Sequence, residues 1–530
     1  MTTNSSIVVD SSCPYASQAA ISIMQAGGTA VDAAIAASAV LFVTLPMCCG
    51  PGGDLAAICF DSATQTVLSH SALGRIPAKA SYEEFSRRGY LAIPLTGIVS
   101  ATVPAAVEGF VSLQARLGTL PLNKLFRPAI NAAQSGVTVN AQMHRWIRNN
   151  LTIIEGDPIC RQLFLPGGKV IAVGATLKQP QLAGLLSNVA ENGYRFLRGE
   201  EYQNALLRFS AEQNGLFSGE DFKVSQVDIQ EPATLSLGAL TVHTTPAPSQ
   251  GVLLLRSLAM YDYLTRIGLA ENTNKIHLWS EILHRVFRWR LDHLSQDIST
   301  TYSSAWMEIE ADCAKINLTE RSEDFDYPYH EGDTTHFVVA DHKGNSVSMI
   351  LSLSLGFGSG VIEPSTGIIF NNRLGRSVSM VPIAAYLLKP GQRPINTIHT
   401  YAVTSAQGLL FMGGTPGGDG QVQWNATSIA AAIFDHIPLA DIVRAPRFTC
   451  FPPADLNTTA KQGRIELETD LTSQCTQLKE LGHTVRCRKR VGGSVRLVEN
   501  SPQGWETHHD GHDTGAALAT QIVSRTIANV

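Results

Sequence analysis

Thr334 is the residue whose surroundings most clearly suggest chemistry. It follows Asp333 directly and opens the segment TTHFVVAD. Cleavage between Asp333 and Thr334 would leave the threonine with a hydroxyl and a free α-amine on the same residue. An α-amine has a reference pKa of about 8, so it can take the hydroxyl proton and activate the oxygen as a nucleophile. The alternative is purely structural, because paired threonines are common in strands.

The stretch around this threonine predicts a β-hairpin over residues 332–355. Its first half is rich in Thr, Phe and Val, the tripeptide Lys-Gly-Asn supplies a turn, and Ser alternates with apolar residues in the second half. The expected register places Leu353 opposite Thr334. Ser352 and Ser354 then lie diagonally beside the threonine, so that three hydroxyl groups gather at one end of the hairpin.

Motifs spread over nearly the whole chain resemble the gamma-glutamyltranspeptidase family. TTHFVVAD followed by KGN is similar to the start of that family's small subunit. The other matching motifs, in the family's order, are GGTAVDAAIAA (27–37), IPAKA (76–80), VPAAVEGF (103–110), GTLPLNKLFRPAINAAQSGVTV (118–139), GTPGGDGQ (414–421) and APRF (445–448). The resemblance implies an α+β fold, the four-layer αββα sandwich of the N-terminal-nucleophile hydrolases, with two stacked antiparallel sheets flanked by helices. It also implies a precursor that cuts itself into residues 1–333 and 334–530, which together form one domain.

The resemblance gives particular residues a role in the reaction. Thr334 matches the nucleophile, which would first cleave the bond after Asp333 and then attack the substrate. Ser352 matches a hydroxyl that hydrogen-bonds the nucleophile. Gly417 and Gly418 match two successive glycines whose amides form the oxyanion hole. Glycines suit that role because no side chain blocks the approach, and two adjacent N–H groups can point into one concavity.

The substrate-binding positions depart from the gamma-glutamyl pattern. The family's ammonium-binding Asp falls on Arg376, which would repel an ammonium group. The neighbouring polar ligands fall on Ser354 and Arg373. The family's carboxylate-clamping Arg falls on Leu73, with Arg75 two residues later. Three arginines in these positions favour a substrate carboxylate, unless they lie on the surface of a shifted loop.

Asn396 and Thr397 stand where relatives carry a Ser-Ser pair that binds the substrate's α-carboxylate, and both can still donate to an anion. The segment MGGTPGGDGQ is more similar to the oxamate amidohydrolase branch of the family than to the glutathione-processing branch. We therefore expect a hydrolase that cleaves an acyl (amide) bond through an acyl-enzyme, on a small carboxylate-bearing substrate of the oxamate or oxalyl type.

Three alternatives to this function remain open. The first is a C–C bond hydrolase that releases an oxalyl group in antibiotic biosynthesis. The second is a gamma-glutamyltransferase or glutathione hydrolase, which Leu73 and Arg376 disfavour. The third is an uncleaved, non-catalytic relative that keeps the fold as a binding protein.

Composition narrows the range of partners. The 530 residues carry a formal net charge of -5, so there is no basic field to attract nucleic acid. The most apolar run, 33–46, is too short to span a bilayer, so we expect no membrane partner. The N-terminus lacks the features of a secretory signal, and the nine cysteines form no CxxC pair; together these predict reduced thiols in a cytoplasmic protein. The expected partners are a small substrate and the two cleaved chains, with a dimer of these heterodimers left open.

Neither a cofactor nor a metal is expected. CCGPGGD (48–54) lacks the Lys-Ser/Thr of a phosphate-binding loop. HHDGHD (508–513) has the residue types of a zinc site, but its spacing fits neither a helix nor a zinc finger. Its candidate ligands are His508, His509, Asp510, His512 and Asp513.

Overall fold

The structure is a computed structural model that describes residues 6–271, 273–295, 306, 308–323, 332–380, 387–450, 464–512 and 515–521. Within these residues the α-helices are α1 (Pro14–Gln25), α2 (Ala30–Thr44), α3 (Tyr82–Arg87), α4 (Ala106–Leu117), α5 (Leu122–Ser135), α6 (Ala141–Asn149), α7 (Leu151–Ile154), α8 (Pro158–Phe164), α9 (Pro180–Asn192), α10 (Tyr194–Leu197), α11 (Glu200–Glu212), α12 (Gly251–Arg266), α13 (Lys275–His293), α14 (Ile309–Cys313), α15 (Arg373–Ser377), α16 (Gly420–Ile433), α17 (Leu439–Ile442) and α18 (Cys475–Glu480).

The strands are β1 (Ser6–Ser11), β2 (Asp54–Asp61), β3 (Thr66–Ala72), β4 (Val137–Thr138), β5 (Thr176–Leu177), β6 (Val227–Gln230), β7 (Ala233–Leu237), β8 (Leu240–Thr244), β9 (Asp333–Ala340), β10 (Ser346–Ser354), β11 (Tyr401–Ser405), β12 (Gly408–Gly414), β13 (Phe448–Cys450), β14 (Arg464–Glu468), β15 (Thr484–Arg488), β16 (Arg496–Ser501), β17 (Gly504–His509) and β18 (Ala516–Gln521).

Two antiparallel sheets form the centre of the molecule. In the described part of the chain the first has the strand order β18-β1-β9-β10-β2-β3-β6, and the second has the order β17-β16-β12-β11-β8-β7. Apolar side chains from both sheets, such as Val338, Ala402 and Val498, pack together between them and exclude water. A small sheet of β13, β14 and β15 lies beside the second large sheet.

Helices cover the outer face of each large sheet. All fifteen residues of α2 are buried, because its Ala-rich sequence allows close packing against the other helices and against β9 and β10. A capping box between Thr29 and Asp32 starts this helix. On the other side α12, α13 and α16 share one apolar core with the second sheet. The predicted four-layer αββα sandwich is therefore confirmed. None of the described helices combines the length and the apolar character needed to cross a bilayer.

The hairpin of β9 and β10 has a register one residue away from the predicted one. Ser352, and not Leu353, pairs with Thr334. The register then shifts at a bulge, so that Ser354 pairs with Asp333. The prediction that Leu353 lies opposite the threonine was wrong, and the correction brings the Ser352 hydroxyl directly across from it.

The turn explains this register. The side chain of Asp341 accepts hydrogen bonds from the backbone N–H groups of Lys343 and Asn345, at 2.9 and 3.0 Å. Aspartate commonly closes turns in this way. Asp341 therefore belongs to the turn and not to the strand ladder, which ends at the pair of Ala340 and Ser346.

Candidate active site

The hydroxyl of Ser352 links the proposed nucleophile to the bond that it would cut. Thr334 is nearly buried, with 8% of its surface exposed. Its Oγ1 donates to Oγ of Ser352 at 3.3 Å, and Ser352 Oγ donates to the carbonyl oxygen of Asp333 at 3.1 Å. The N–H of Ser354 donates to the same Ser352 oxygen at 2.9 Å. The strand pairing and the bulge thus place one hydroxyl between the Thr334 hydroxyl and the carbonyl oxygen of Asp333.

A glycine-rich loop between β12 and α16 lies against Gly332, two residues before Thr334. Gly417 and Gly418 have positive φ angles of 123° and 56°, a backbone conformation that favours glycine. A Cβ atom on Gly417 would lie 2.5 Å from the indole ring of Trp424. A Cβ atom on Gly332, two residues before the threonine, would lie 3.1 Å from the backbone nitrogen of Gly418. The loop therefore contacts the segment that leads into the scissile bond.

A buried ion pair between Arg290 and Asp419 holds the glycine loop in place. Asp419 Oδ1 accepts hydrogen bonds from Arg290 Nη1 at 2.7 Å and from Gln250 Nε2 at 2.9 Å. Both charged side chains are fully buried. The charges stabilise each other there, since an unpaired charge in the interior would be costly. Helices α12 and α13 thereby fix the position of the loop that follows β12.

Arg376 and Ser354 lie close to the scissile bond, as the sequence analysis expected. Nη1 of Arg376 donates to the carbonyl oxygen of Ser354 at 2.8 Å. The same nitrogen lies 3.1 Å from a Cβ position on Gly332. Arg376 is on the short helix α15. This guanidinium therefore lies near Gly332, but Arg376 and Ser354 are both buried and are not among the residues that line the cleft described below.

Arg373 and Asn396 are held by a protein carboxylate. Nε of Arg373 and Nδ2 of Asn396 both donate to Oδ2 of Asp54, at 3.0 and 2.9 Å. Burial lowers the pKa of Arg373, and the adjacent Asp54 charge opposes that shift. Neither residue lines the cleft described below. Asp54 could not be recognised from the sequence as their partner, because it comes from a distant strand, β2.

Two further predicted substrate residues also lie away from the cleft. Arg75 donates to the carbonyl oxygens of Ser225 and Gly391, at 3.3 and 3.0 Å. Thr397 is buried, and its carbonyl oxygen is hydrogen-bonded to His399. The structure therefore does not bring Arg75 or Thr397 to Thr334.

A cleft of about 610 Å³ opens at Thr334. Its walls combine aromatic, apolar and charged side chains from several elements. The lining residues include Trp146, Trp424, Glu466, Arg490 and His512. None of these five residues was predicted to bind substrate, since they are far apart in the chain and form no local motif.

His336 is a further buried polar residue beside the hairpin. Its Nε2 is 2.8 Å from Oγ of Ser348, and that hydroxyl donates to the carbonyl oxygen of Gly413 at 3.0 Å. Burial, with the nearby Arg496 and His399, holds the pKa of His336 well below its usual value. The imidazole is therefore neutral, and it helps to join β9 and β10 to the second sheet.

The HHDGHD segment does not gather its side chains around one point. The contacts are His508 with Glu499 at 2.8 Å, His509 with Asp10 at 2.9 Å, and Asp510 with Arg447 at 2.7 Å. Asp513 lies outside the described residues. Glu499, Glu506 and His508 do lie within metal-ligating distance of one another, but Glu506 also accepts from Ser501 at 2.8 Å. His512 shares the Arg447 guanidinium with Asp510, so the segment is held by contacts to three separate partners: Glu499, Asp10 and Arg447.

The architecture and the site together define a class of protein. The first residues of an inner strand, in an αββα sandwich, present a hydroxyl to a cleft beside a two-glycine loop. This is the arrangement of an N-terminal-nucleophile hydrolase.

Comparison with known proteins gives the family. A family model described as gamma-glutamyltranspeptidase matches residues 16–520, so the chain belongs to the gamma-glutamyltranspeptidase family. Over 526 residues it is 28% identical to an oxamate amidohydrolase proenzyme of Klebsiella pneumoniae, covering 95% of this chain and 96% of that protein. It is 29% identical over 513 residues to the acylase ACY 1 proenzyme of Pseudomonas sp. strain V22, and the match covers 93% of this chain and 89% of that protein.

A solved structure supports the fold. The cephalosporin acylase from Bacillus halodurans superposes with a TM-score of 0.86 at 24% identity, covering 97% of this chain and 96% of that one. The matched relatives are named as hydrolases, acylases and glutathione hydrolases. The protein is therefore an enzyme of the N-terminal-nucleophile hydrolase class.

Proposed function

We propose that this protein cuts its own chain between Asp333 and Thr334 and then uses Thr334 as the nucleophile of an amidohydrolase. The observation that carries the proposal is the hydrogen-bonded chain from the Thr334 hydroxyl through Ser352 to the Asp333 carbonyl oxygen. The products would be a large piece, 1–333, and a small piece, 334–530.

Self-cleavage follows from this geometry in three steps. The hydroxyl oxygen of Thr334 attacks the carbonyl carbon of Asp333, while Ser352 donates a hydrogen bond to the carbonyl oxygen and stabilises its developing charge. The bond to the threonine nitrogen then breaks as that nitrogen takes the hydroxyl proton, so the acyl group has moved from nitrogen to oxygen and the α-amine is free. Water hydrolyses the resulting ester, which separates the two chains and restores the Thr334 hydroxyl.

Substrate hydrolysis uses the same nucleophile, the Thr334 hydroxyl, but a different group takes its proton. The freed α-amine of Thr334 accepts the hydroxyl proton. The amides of Gly417 and Gly418 stabilise the tetrahedral oxyanion, and an acyl-enzyme forms as the amine of the substrate leaves. Water then releases the acid.

The substrate class that we favour is a small acyl group bearing a carboxylate, such as an oxamate or oxalyl compound. Arg376 supports this choice, because its guanidinium contacts Gly332 on the acyl side of the scissile bond. A cation at this place attracts a carboxylate and repels the α-ammonium of a gamma-glutamyl compound. The full-length relative named oxamate amidohydrolase agrees with that preference. A cytoplasmic location and a dimer of the two-chain unit stay predictions.

A substrate panel tests this preference. We expect the cut enzyme to hydrolyse oxamate-type amides faster than a gamma-glutamyl anilide, measured as kcat/KM. Oxalyl ketones belong in the same panel, since cleavage of their C–C bond would favour the alternative hydrolase. Faster turnover of the gamma-glutamyl anilide would contradict the charge argument.

Replacing Ser352 by Ala is expected to slow self-cleavage by roughly 10²-fold, because one donor to the developing oxyanion is lost. The readout is the fraction of uncut chain against time on a denaturing gel. Ser354→Ala is the matched control, since Ser354 Oγ has no hydrogen-bond partner among the described residues. Equal rates of self-cleavage in Ser352→Ala and Ser354→Ala would show that Ser352 has no role in the cleavage.

A further inference from the structure

The cleft is much larger than the acyl group proposed above. Oxamate has six non-hydrogen atoms, whereas clefts of ~300–1,000 Å³ hold drug-sized ligands. The cavity at Thr334 measures about 610 Å³. The cavity therefore has room for a substrate whose amine part is much larger than the ammonia that oxamate itself would release.

Two tryptophans line this remaining volume, Trp146 and Trp424. The orientation of Trp424 is fixed, because its Nε1 donates to the carbonyl oxygen of Phe448 and to Oγ1 of Thr449, both at 3.1 Å. Trp424 is 6% exposed and Trp146 is half-buried, so Trp146 supplies most of the accessible indole surface. Such rigid rings bind apolar groups at little entropic cost.

Arg490 contributes the accessible positive charge of the cleft. It is exposed, and its Nη1 donates to the carbonyl oxygen of His512 at 2.9 Å. Among the described residues no carboxylate forms an ion pair with it. Glu466, which also lines the cleft, is already paired with Arg488 at 3.0 Å. Burial and the neighbouring Arg447 lower the pKa of His512, so this ring adds no charge near neutral pH.

The segment that follows Arg490 is held firmly against the glycine loop. The N–H of Val491 donates to Oε1 of Glu468 at 2.9 Å, and Arg447 donates to the carbonyl oxygen of Gly493 at 2.6 Å. Gly493 packs on the backbone of Pro416, and Gly492 packs on the ring of Trp424. The cation, the indole and the glycine loop therefore form one continuous wall.

We propose that Arg490 and the indole rings of Trp146 and Trp424 recognise the amine part of the substrate, and that this part is an aromatic amine carrying a carboxylate. The proposal rests on the proposed function and names the second half of its substrate. Arg490 provides a charge-assisted hydrogen bond to the carboxylate, and the indole wall covers the ring.

Two N-aryl oxamates of matched shape test this proposal. One carries a para-carboxylate on the ring and the other a para-carboxamide. The cut wild-type enzyme is expected to hydrolyse the carboxylate compound with the higher kcat/KM. In Arg490→Gln that advantage is expected to fall roughly 10- to 100-fold, mainly through KM, since a hydrogen bond to a charged group is lost. Hydrolysis of the carboxamide compound should not change.

Lys489→Gln is the control, because Lys489 is exposed next to Arg490 but does not line the cleft. It should leave both substrates unaffected. An equal loss on both substrates in Arg490→Gln, or no preference for the carboxylate in the wild type, would overturn the proposal. A chain that remains uncut would instead contradict the proposed function, so the two failures are distinguishable on the same preparation.

Discussion

Thr334→Ala is expected to remain a single chain of 57.0 kDa and to lose hydrolytic activity. The variant has no side-chain oxygen to attack the Asp333 carbonyl, so neither self-cleavage nor acyl-enzyme formation can begin. Removal of a catalytic nucleophile typically lowers kcat by several orders of magnitude, about 10⁴-fold or more. A denaturing gel and a kinetic assay with the preferred oxamate-type amide measure both effects. The fold should survive, because the substitution removes few atoms from a strand that is paired on both sides.

Thr334→Ser is the matched control for this prediction. It keeps a hydroxyl at the same place in the strand, next to Ser352, and it should still cut itself and retain activity. If Thr334→Ala were processed at the same bond, or were as active as the wild type after purification, another residue would have to be the nucleophile.

Gly417→Ala is expected to lower kcat about 10²–10³-fold, the usual cost of losing one oxyanion donor. Two features of the structure cause the loss. The φ angle of 123° is unfavourable for any residue with a Cβ atom, and the new methyl group would lie 2.5 Å from the Trp424 ring. The loop must therefore shift, and with it the amides of Gly417 and Gly418. Steady-state kinetics on the cut enzyme gives the result.

Gly238→Ala separates the effect of backbone strain from the effect of the clash. Gly238 also has a positive φ angle, 61°, but a Cβ atom there would meet nothing within 4 Å. Both variants should lose some free energy of unfolding, about 1 kcal/mol from the backbone term, and only Gly417→Ala should lose kcat. An unchanged kcat in Gly417→Ala would exclude this loop from the oxyanion hole.

Local patterns in the sequence were sufficient for the main elements around the site. The hairpin at 332–355 was predicted from β-branched residues and from serines that alternate with apolar residues. The predicted register was wrong by one residue, because the Asp341 side chain closes the turn. The alternation of polar and apolar residues along the strands does not reveal that contact. A one-residue error changes which side chain faces Thr334.

The chemistry of the arginines could not be predicted from local sequence. Arg373 stands three residues before Arg376, yet one is paired with Asp54 and the other contacts Gly332. The difference comes from strand β2, which is more than 300 residues away in the chain. The ion pair of Arg290 and Asp419 and the position of Arg490 are likewise products of tertiary packing, and no motif marks them.

The most direct test of the account is to determine the N-termini and the intact masses of the purified, active wild-type protein. The account predicts two chains of about 36 and 21 kDa by residue share. The smaller one should begin with the residues Thr-Thr-His-Phe, starting at Thr334. An active preparation that contains only the uncut chain, or whose second chain begins at any other residue, would contradict it.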